Sequence, residues 1–204
     1  MTFVPRDCHR FQCLTEGVLD EIFSRKTPDD GLRVLLLPHA SPLEPYLLAI
    51  QLLEHWPRAK STDFNLVVAG GESIISAREG IFSLGQLSSL NNVILRRYFS
   101  ELDDETWQAK DYLRQNMVFS QLDVTDGKQT KTHRGMDVIL CQRLFADYST
   151  LTRRLVAGYL FDAMNPGGFL ILGEGESMSQ VSAMFTVRRF GQGLVYQKPT
   201  VYAV

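Results

Sequence analysis

The sequence predicts an α/β fold: a mostly parallel sheet wound by helices, closed by an antiparallel hairpin, with a small antiparallel β-subdomain inserted. Three observations predict it. Short apolar runs at residues 32–37, 64–69, 136–141 and 169–172 read as buried parallel strands. Helically spaced apolar residues lie between them, which is the rhythm of a doubly wound sheet. The chain ends in two strand-like runs around Gly191-Gln192-Gly193, a hairpin pattern.

Each element has its own local reason. Leu14, Val18, Leu19, Ile22 and Phe23 recur at helical spacing and predict an amphipathic helix over residues 14–26. Thr27-Pro28-Asp29-Asp30-Gly31 ends it with turn chemistry. The strand at 32–37 leads through a loop at 38–42 into a helix over 43–56. Pro45 falls in its first turn, where no intrahelical N–H bond is lost. The strand at 64–69 is followed by Gly70-Gly71 and a helix over 72–79.

The middle of the chain changes character. A run at 93–99, a polar turn at 101–105 and a second run at 106–110 predict the antiparallel insert. Residues 117–122 return to the main sheet, and the polar stretch 125–135 reads as a surface loop. A strand at 136–141 is followed by a helix over 149–164 with Ser149 as N-cap. Asn165-Pro166-Gly167-Gly168 reads as a turn, then come a strand at 169–172 and the hairpin of 185–190 with 194–197. The expected organisation is an N-terminal linker and helix over 1–28 and an α/β domain over 29–204, with residues 88–118 as the insert.

Composition removes several function classes. The chain has 204 residues, 45% of them hydrophobic, enough for a full core without disulfide or metal. A net charge of −2 lacks the basic surplus that nucleic acid requires, so no nucleic-acid partner is expected. No run of eighteen apolar residues exists, so no membrane insertion is expected. The start has neither the basic nor the apolar region of a signal peptide, and Cys8, Cys13 and Cys141 fit no disulfide framework. A reducing, cytoplasmic setting is the simplest expectation. Cys8-His9 with Cys13 lacks a second ligand pair, so no metal site is expected. Gly70-Gly71-Glu72 and Gly173-Glu174-Gly175 are too short for nucleotide fingerprints and read as turns.

Six segments then appear in one order. They are Thr2-Phe3-Val4-Pro5-Arg6, Glu44-Pro45-Tyr46, Ala77-Arg78-Glu79-Gly80-Ile81-Phe82 and Leu95-Arg96-Arg97-Tyr98-Phe99. After them come Met136-Asp137-Val138-Ile139-Leu140-Cys141 and Asn165-Pro166-Gly167-Gly168-Phe169-Leu170-Ile171-Leu172-Gly173. Together they resemble the chemotaxis receptor glutamate methyltransferases (CheR type), from about residue 2 to 198. The resemblance implies a Rossmann-like fold that binds S-adenosylmethionine (SAM), with the small β-subdomain as its insert. The terminal antiparallel hairpin agrees, because SAM methyltransferases end that way and dinucleotide dehydrogenases do not. No counterpart of the family's N-terminal helical domain is evident in this sequence.

The departures fall on the cofactor positions. The family's G-x-S-T-G-E-E-P-Y stands here as Pro38-His39-Ala40-Ser41-Pro42-Leu43-Glu44-Pro45-Tyr46. Proline fixes φ and offers no N–H, so a glycine cradle loses donors at two places. The family's ribose-binding acids fall at Val68 and Gly70, and its C-R-N-x-x-x-Y becomes Cys141-Gln142-Arg143-Leu144-Phe145-Ala146-Asp147. Arg143 brings a cation to a place where the resemblance implies a sulfonium, unless it turns to solvent. The surviving cofactor candidates implied by the resemblance are Arg6, Glu44 and Asp123, read as vestigial. Bland readings stand beside them: Glu44 as an acid favoured by a helix N-terminus, Asp123 as a turn former. Trp107 and Tyr98 either line a peptide groove or simply pack.

Three readings remain open. The first is a degenerate methyltransferase with no catalytic residue and no cofactor, acting through a protein partner: a chemoreceptor, a signalling protein or a second copy. The second is an active SAM-dependent protein-glutamate O-methyltransferase with a rebuilt pocket. Methyl transfer mainly needs alignment, so lost residues weaken this reading without removing it. The third is a binder of another nucleotide in the same crevice.

Overall fold

The computed structural model describes residues 9–37, 41–71, 73–146, 148–191 and 193–200. In chain order the elements are α1 (His9–Cys13), a π-helical turn (Leu14–Val18), α2 (Leu19–Phe23), β1 (Leu32–Leu36), α3 (Glu44–His55), β2 (Phe64–Gly70) and α4 (Ser73–Glu79). Then follow β3 (Ile81–Ser83), α5 (Asn92–Tyr98), β4 (Phe99–Glu101), β5 (Thr106–Ala109), α6 (Asp111–Arg114), β6 (Met117–Gln121) and α7 (Gly127–Lys131). The chain closes with β7 (Met136–Leu140), α8 (Thr150–Ala163), β8 (Met164–Ile171), β9 (Thr186–Phe190) and β10 (Gly193–Gln197).

The strands form a seven-stranded sheet in the order β6-β2-β1-β7-β8-β10-β9. Its first five strands are parallel, and β10 runs antiparallel to both β8 and β9. Successive strand residues face opposite sides. Val34, Leu66, Val68, Val138 and Leu140 therefore enter one core with α3, and Leu35, Val67, Ile139 and Cys141 enter a second with α8. Both faces are covered, which is why these strands read as unbroken apolar runs. The mostly parallel sheet, the terminal hairpin and the small antiparallel sheet β3-β5-β4 agree with the fold the sequence predicts. No helix among the described residues is long and apolar enough to cross a membrane.

Four local expectations change. The run at 93–99 is mostly helix α5, not a strand. Asn91 caps it, its side-chain oxygen accepting from the N–H groups of Val93 and Ile94 at 3.0 and 2.9 Å. Ile94, Leu95 and Tyr98 form its buried stripe, at helical spacing. The third strand of the small sheet is supplied instead by Ile81–Ser83, upstream of the expected insert. The stretch 125–135 contains α7, capped by Asp126, which accepts from Lys128 N–H at 2.8 Å. Asn165 to Gly168 lie within β8 at a register irregularity opposite Met136 and Val138, with Gly167 at φ 76°. Ser149 does cap α8, accepting from Thr152 N–H at 3.2 Å.

The first helical stretch seats on the terminal hairpin. A β-carbon at Gly17 would run into the Phe190 ring, and one at Gly193 into Cys13 Sγ. Glu21 of α2 then holds β9 and β10: Arg188 donates to it through both terminal nitrogens at 3.0 and 2.7 Å, and Gln197 Nε2 at 2.7 Å. Burial pushes the Glu21 carboxyl up, but those hydrogen bonds with the charges of Arg188 and Arg25 outweigh it and hold it below the usual range.

Candidate functional site

In an open parallel sheet the loops leaving the carboxyl ends of the strands diverge where the strand order reverses, and a crevice opens there. Here β1 lies between β2 and β7, which places that point after Leu36, Gly70 and Leu140. The loop after β1 re-enters the described residues at Ser41, and Pro42 precedes the first turn of α3. Glu44 N–H donates to Ser41 carbonyl at 3.1 Å, while Tyr46 and Leu47 both donate to the Leu43 carbonyl. No side chain caps this helix. Glu44 is buried in its first turn, where the helix dipole favours a carboxylate.

The end of β2 is different chemistry. Val68 is wholly buried, in register with Leu36 and Phe119 and within the α3-side core. Gly70 closes the strand opposite Gln121, and its carbonyl accepts from Leu122 N–H at 3.3 Å. An acid at 68 would need desolvation inside hydrocarbon, and Gly70 has no side chain to offer. Asp123, just beyond β6, is exposed. Its Oδ1 accepts from the N–H and hydroxyl of Thr125 at 2.9 and 2.7 Å, so the side chain shapes a turn.

The loop after β7 is tied to the loop after β8 by a residue the sequence reading passed over. Glu176 accepts from Phe145 N–H through Oε1 at 2.9 Å and from Gly173 N–H through Oε2 at 3.2 Å. A β-carbon at Gly173 would come within 2.9 Å of Glu176 Oε2 and 3.3 Å of the Gln142 and Arg143 backbone, so the two loops pass close together here. The repeated acid in Gly-Glu-Gly-Glu was the available signal. Arg153 fastens the far end, donating to the carbonyls of Tyr148 and Ala146. Just before these anchors Arg143 sits at φ 54°, a left-handed conformation rare outside glycine, with the residue exposed. The guanidinium does turn to solvent.

Three of the shared sequence segments meet away from the crevice. Tyr46 donates its hydroxyl to the Ala77 carbonyl at 2.7 Å, and its ring packs edge-on against Phe82 at 5.2 Å. Phe99 completes the group, 5.9 Å from Phe82. Gly80, at φ 67°, lies so close that a β-carbon would come within 2.7 Å of the Tyr46 hydroxyl. Burial, against the nearby Arg114 charge, pushes the Tyr46 hydroxyl up to about 12. Tyr98 and Trp107 are buried in the same core. A fourth contact joins Asp137 to the Asn165 segment. Asp137 accepts from Lys26 Nζ at 2.7 Å, Arg33 N–H at 2.9 Å and Asn165 Nδ2 at 2.9 Å.

Of the candidate cofactor residues, Glu44 follows the carboxyl end of β1 and Asp123 that of β6, with β2 between the two strands. Arg6 lies outside the described residues, as do Pro38, His39, Ala40, Glu72 and Asp147. Among the described residues no three His, Cys, Asp or Glu side chains are grouped to hold a metal.

Comparison with known proteins bears directly on this arrangement. The family model described as CheR methyltransferase, SAM binding domain, matches residues 1–193. Chemotaxis protein methyltransferase 2 of Vibrio cholerae serotype O1 is 34% identical over 200 residues, covering 97% of this chain and 69% of that protein. Among solved structures, an O-methyltransferase family protein from Burkholderia thailandensis superposes with a TM-score of 0.53 at 13% identity, covering 94% of this chain and 55% of that one. The CurJ carbon methyltransferase does so with a TM-score of 0.52 at 13% identity, covering 92% and 54%. These two likenesses concern the fold alone.

Proposed function

The chain belongs to the CheR methyltransferase family, and from that premise we propose that it keeps the family scaffold, has lost its grip on SAM and acts by binding another protein. The observation that carries the proposal is the end of β2, where an aliphatic core residue and a glycine occupy the two places at which a carboxylate would take the ribose hydroxyls. A hydrogen bond to a charged group contributes about 1.5–3 kcal/mol. Its loss weakens binding by roughly tenfold to a hundredfold. Pro42 before α3 and the altered loop around Arg143 point the same way. In this reading Arg6, Glu44 and Asp123 are vestiges of a cofactor site, and no residue is catalytic. The partner is a chemoreceptor or another signalling protein in the cytoplasm, or a second copy.

Titration calorimetry with SAM and with its demethylated product tests this. No heat of binding at millimolar ligand is the expected result; micromolar affinity for either would overturn the proposal. A specific observation favours one second reading, an active protein-glutamate O-methyltransferase with a rebuilt pocket: Glu44 keeps a buried carboxylate at the start of α3. Micromolar SAM affinity that Glu44→Gln abolishes is what that reading requires.

A further inference from the structure

The outer face of α8 is unlike that of the other helices. Residues 151, 155, 158 and 162 fall on one narrow stripe, because spacings of four, three and four follow the helical turn. The stripe is Leu151, Leu155, Gly158 and Asp162. Leu151 is 79% exposed and Leu155 47% exposed. Two leucines one turn apart, both open to water, form an apolar ridge with no described covering. Gly158 leaves a dent beside it, since a β-carbon there would meet nothing within 4 Å. Near one flank lies a groove of about 670 Å³, lined by Arg154 of α8, the segment 177–183, and Val187 and Leu194 of the terminal hairpin. Val187 and Leu194 are themselves exposed, as is Met184 next to them. Single exposed leucines need no explanation, whereas a contiguous apolar surface marks an interaction site.

The charges on this face say what fits it. Arg154 stands near the start of the stripe and Asp162 near its end, and neither pairs with a described residue. An antiparallel copy of the same helix brings Asp162 of one chain toward Arg154 of the other, twice by symmetry. In that register the two Gly158 residues lie opposite each other, so the helices approach closely at their dents, with each Leu155 one turn from the crossing. A two-fold contact needs this kind of self-complementary patch. We propose that α8 is half of an isologous interface, and that the protein forms a dimer through antiparallel pairing of this helix, the flanking apolar groove closing beside it.

The inference is independent of SAM binding, so its failure would leave the functional proposal untouched. Sedimentation equilibrium on the full chain is the test. A particle of twice the 23.1 kDa chain mass is expected. Leu151→Glu and Leu155→Glu should both give monomer. Both side chains are exposed, so the far-ultraviolet circular-dichroism spectrum of each variant should stay that of the folded chain. Arg154→Glu alone and Asp162→Arg alone should each weaken the dimer by about tenfold or more. The double variant R154E/D162R should restore it. A wild-type monomer, a dimer indifferent to Leu155→Glu, or a double variant as weak as the single ones would overturn the proposal. A different protein captured on this face by a monomeric chain would count among the first of these.

Discussion

Tyr46 shows how a shared motif residue can be structural rather than chemical. It stands two positions after Glu44, beside the proposed cofactor loop, yet its hydroxyl points into the core and serves the Ala77 carbonyl. Tyr46→Phe removes that donor while keeping the ring, leaving a buried carbonyl short of one partner. The expected loss is about 1–2 kcal/mol of stability, read from denaturant midpoints at an unchanged slope. SAM titration should be unaffected. Asp137 has the same character with higher stakes. Its carboxylate is buried and takes three donors, one of them the Lys26 ammonium. Asp137→Ala leaves two buried or half-buried donors unpaired and takes one partner from the half-buried Lys26 ammonium, which keeps the Gly31 carbonyl, so a loss of about 2–3 kcal/mol is expected in the same measurement. Neither role was legible from the chain, because the partners lie 31 and 111 residues away. Glu44 and Asp123 were legible as candidates. The structure gives Asp123 a turn to hold, and gives Glu44 a place in the first turn of a helix.

Helices and strands were read well where packing repeats the local signal and badly where it does not. The four central strands announced themselves because both their faces are covered. Residues 93–99 misled because Val, Ile, Leu and Tyr suit a strand as readily as a helix at that length. Asn91 was the discriminating residue: its side chain satisfies two N–H groups that a helix leaves open. The docking of α2 on the hairpin yields a pH prediction. Glu21 has a carboxyl held below its ordinary value by Arg188 and Gln197, net of burial. A lowered folded-state value means the contribution is complete above the unfolded value, about 4.3. It is lost as pH falls through the lower folded value. Urea midpoints for the protein and for Glu21→Gln should therefore differ at pH 7 and converge as the pH falls below the ordinary carboxylate range. A constant difference across that range would show that Glu21 acts only by packing.

The chain's composition and periodicity were enough to specify a parallel α/β sheet with a terminal hairpin and an inserted β-subdomain. Alternating burial leaves a pattern that any reader of the residues can follow. The same residues, set in order, were enough to specify the family. They also located the departures, because Pro42, Val68 and Gly70 stand at countable distances from motifs that persist. Folding decided what those departures do. It sank Val68 into hydrocarbon, turned Arg143 outward on a left-handed backbone, and drew Glu176 across the lip between two loops. It also set Leu151 and Leu155 on the one face of α8 that no described element covers. Spacing along a strand or helix fixes which side a residue faces, whereas only the packing of distant segments fixes what, if anything, lies against that side.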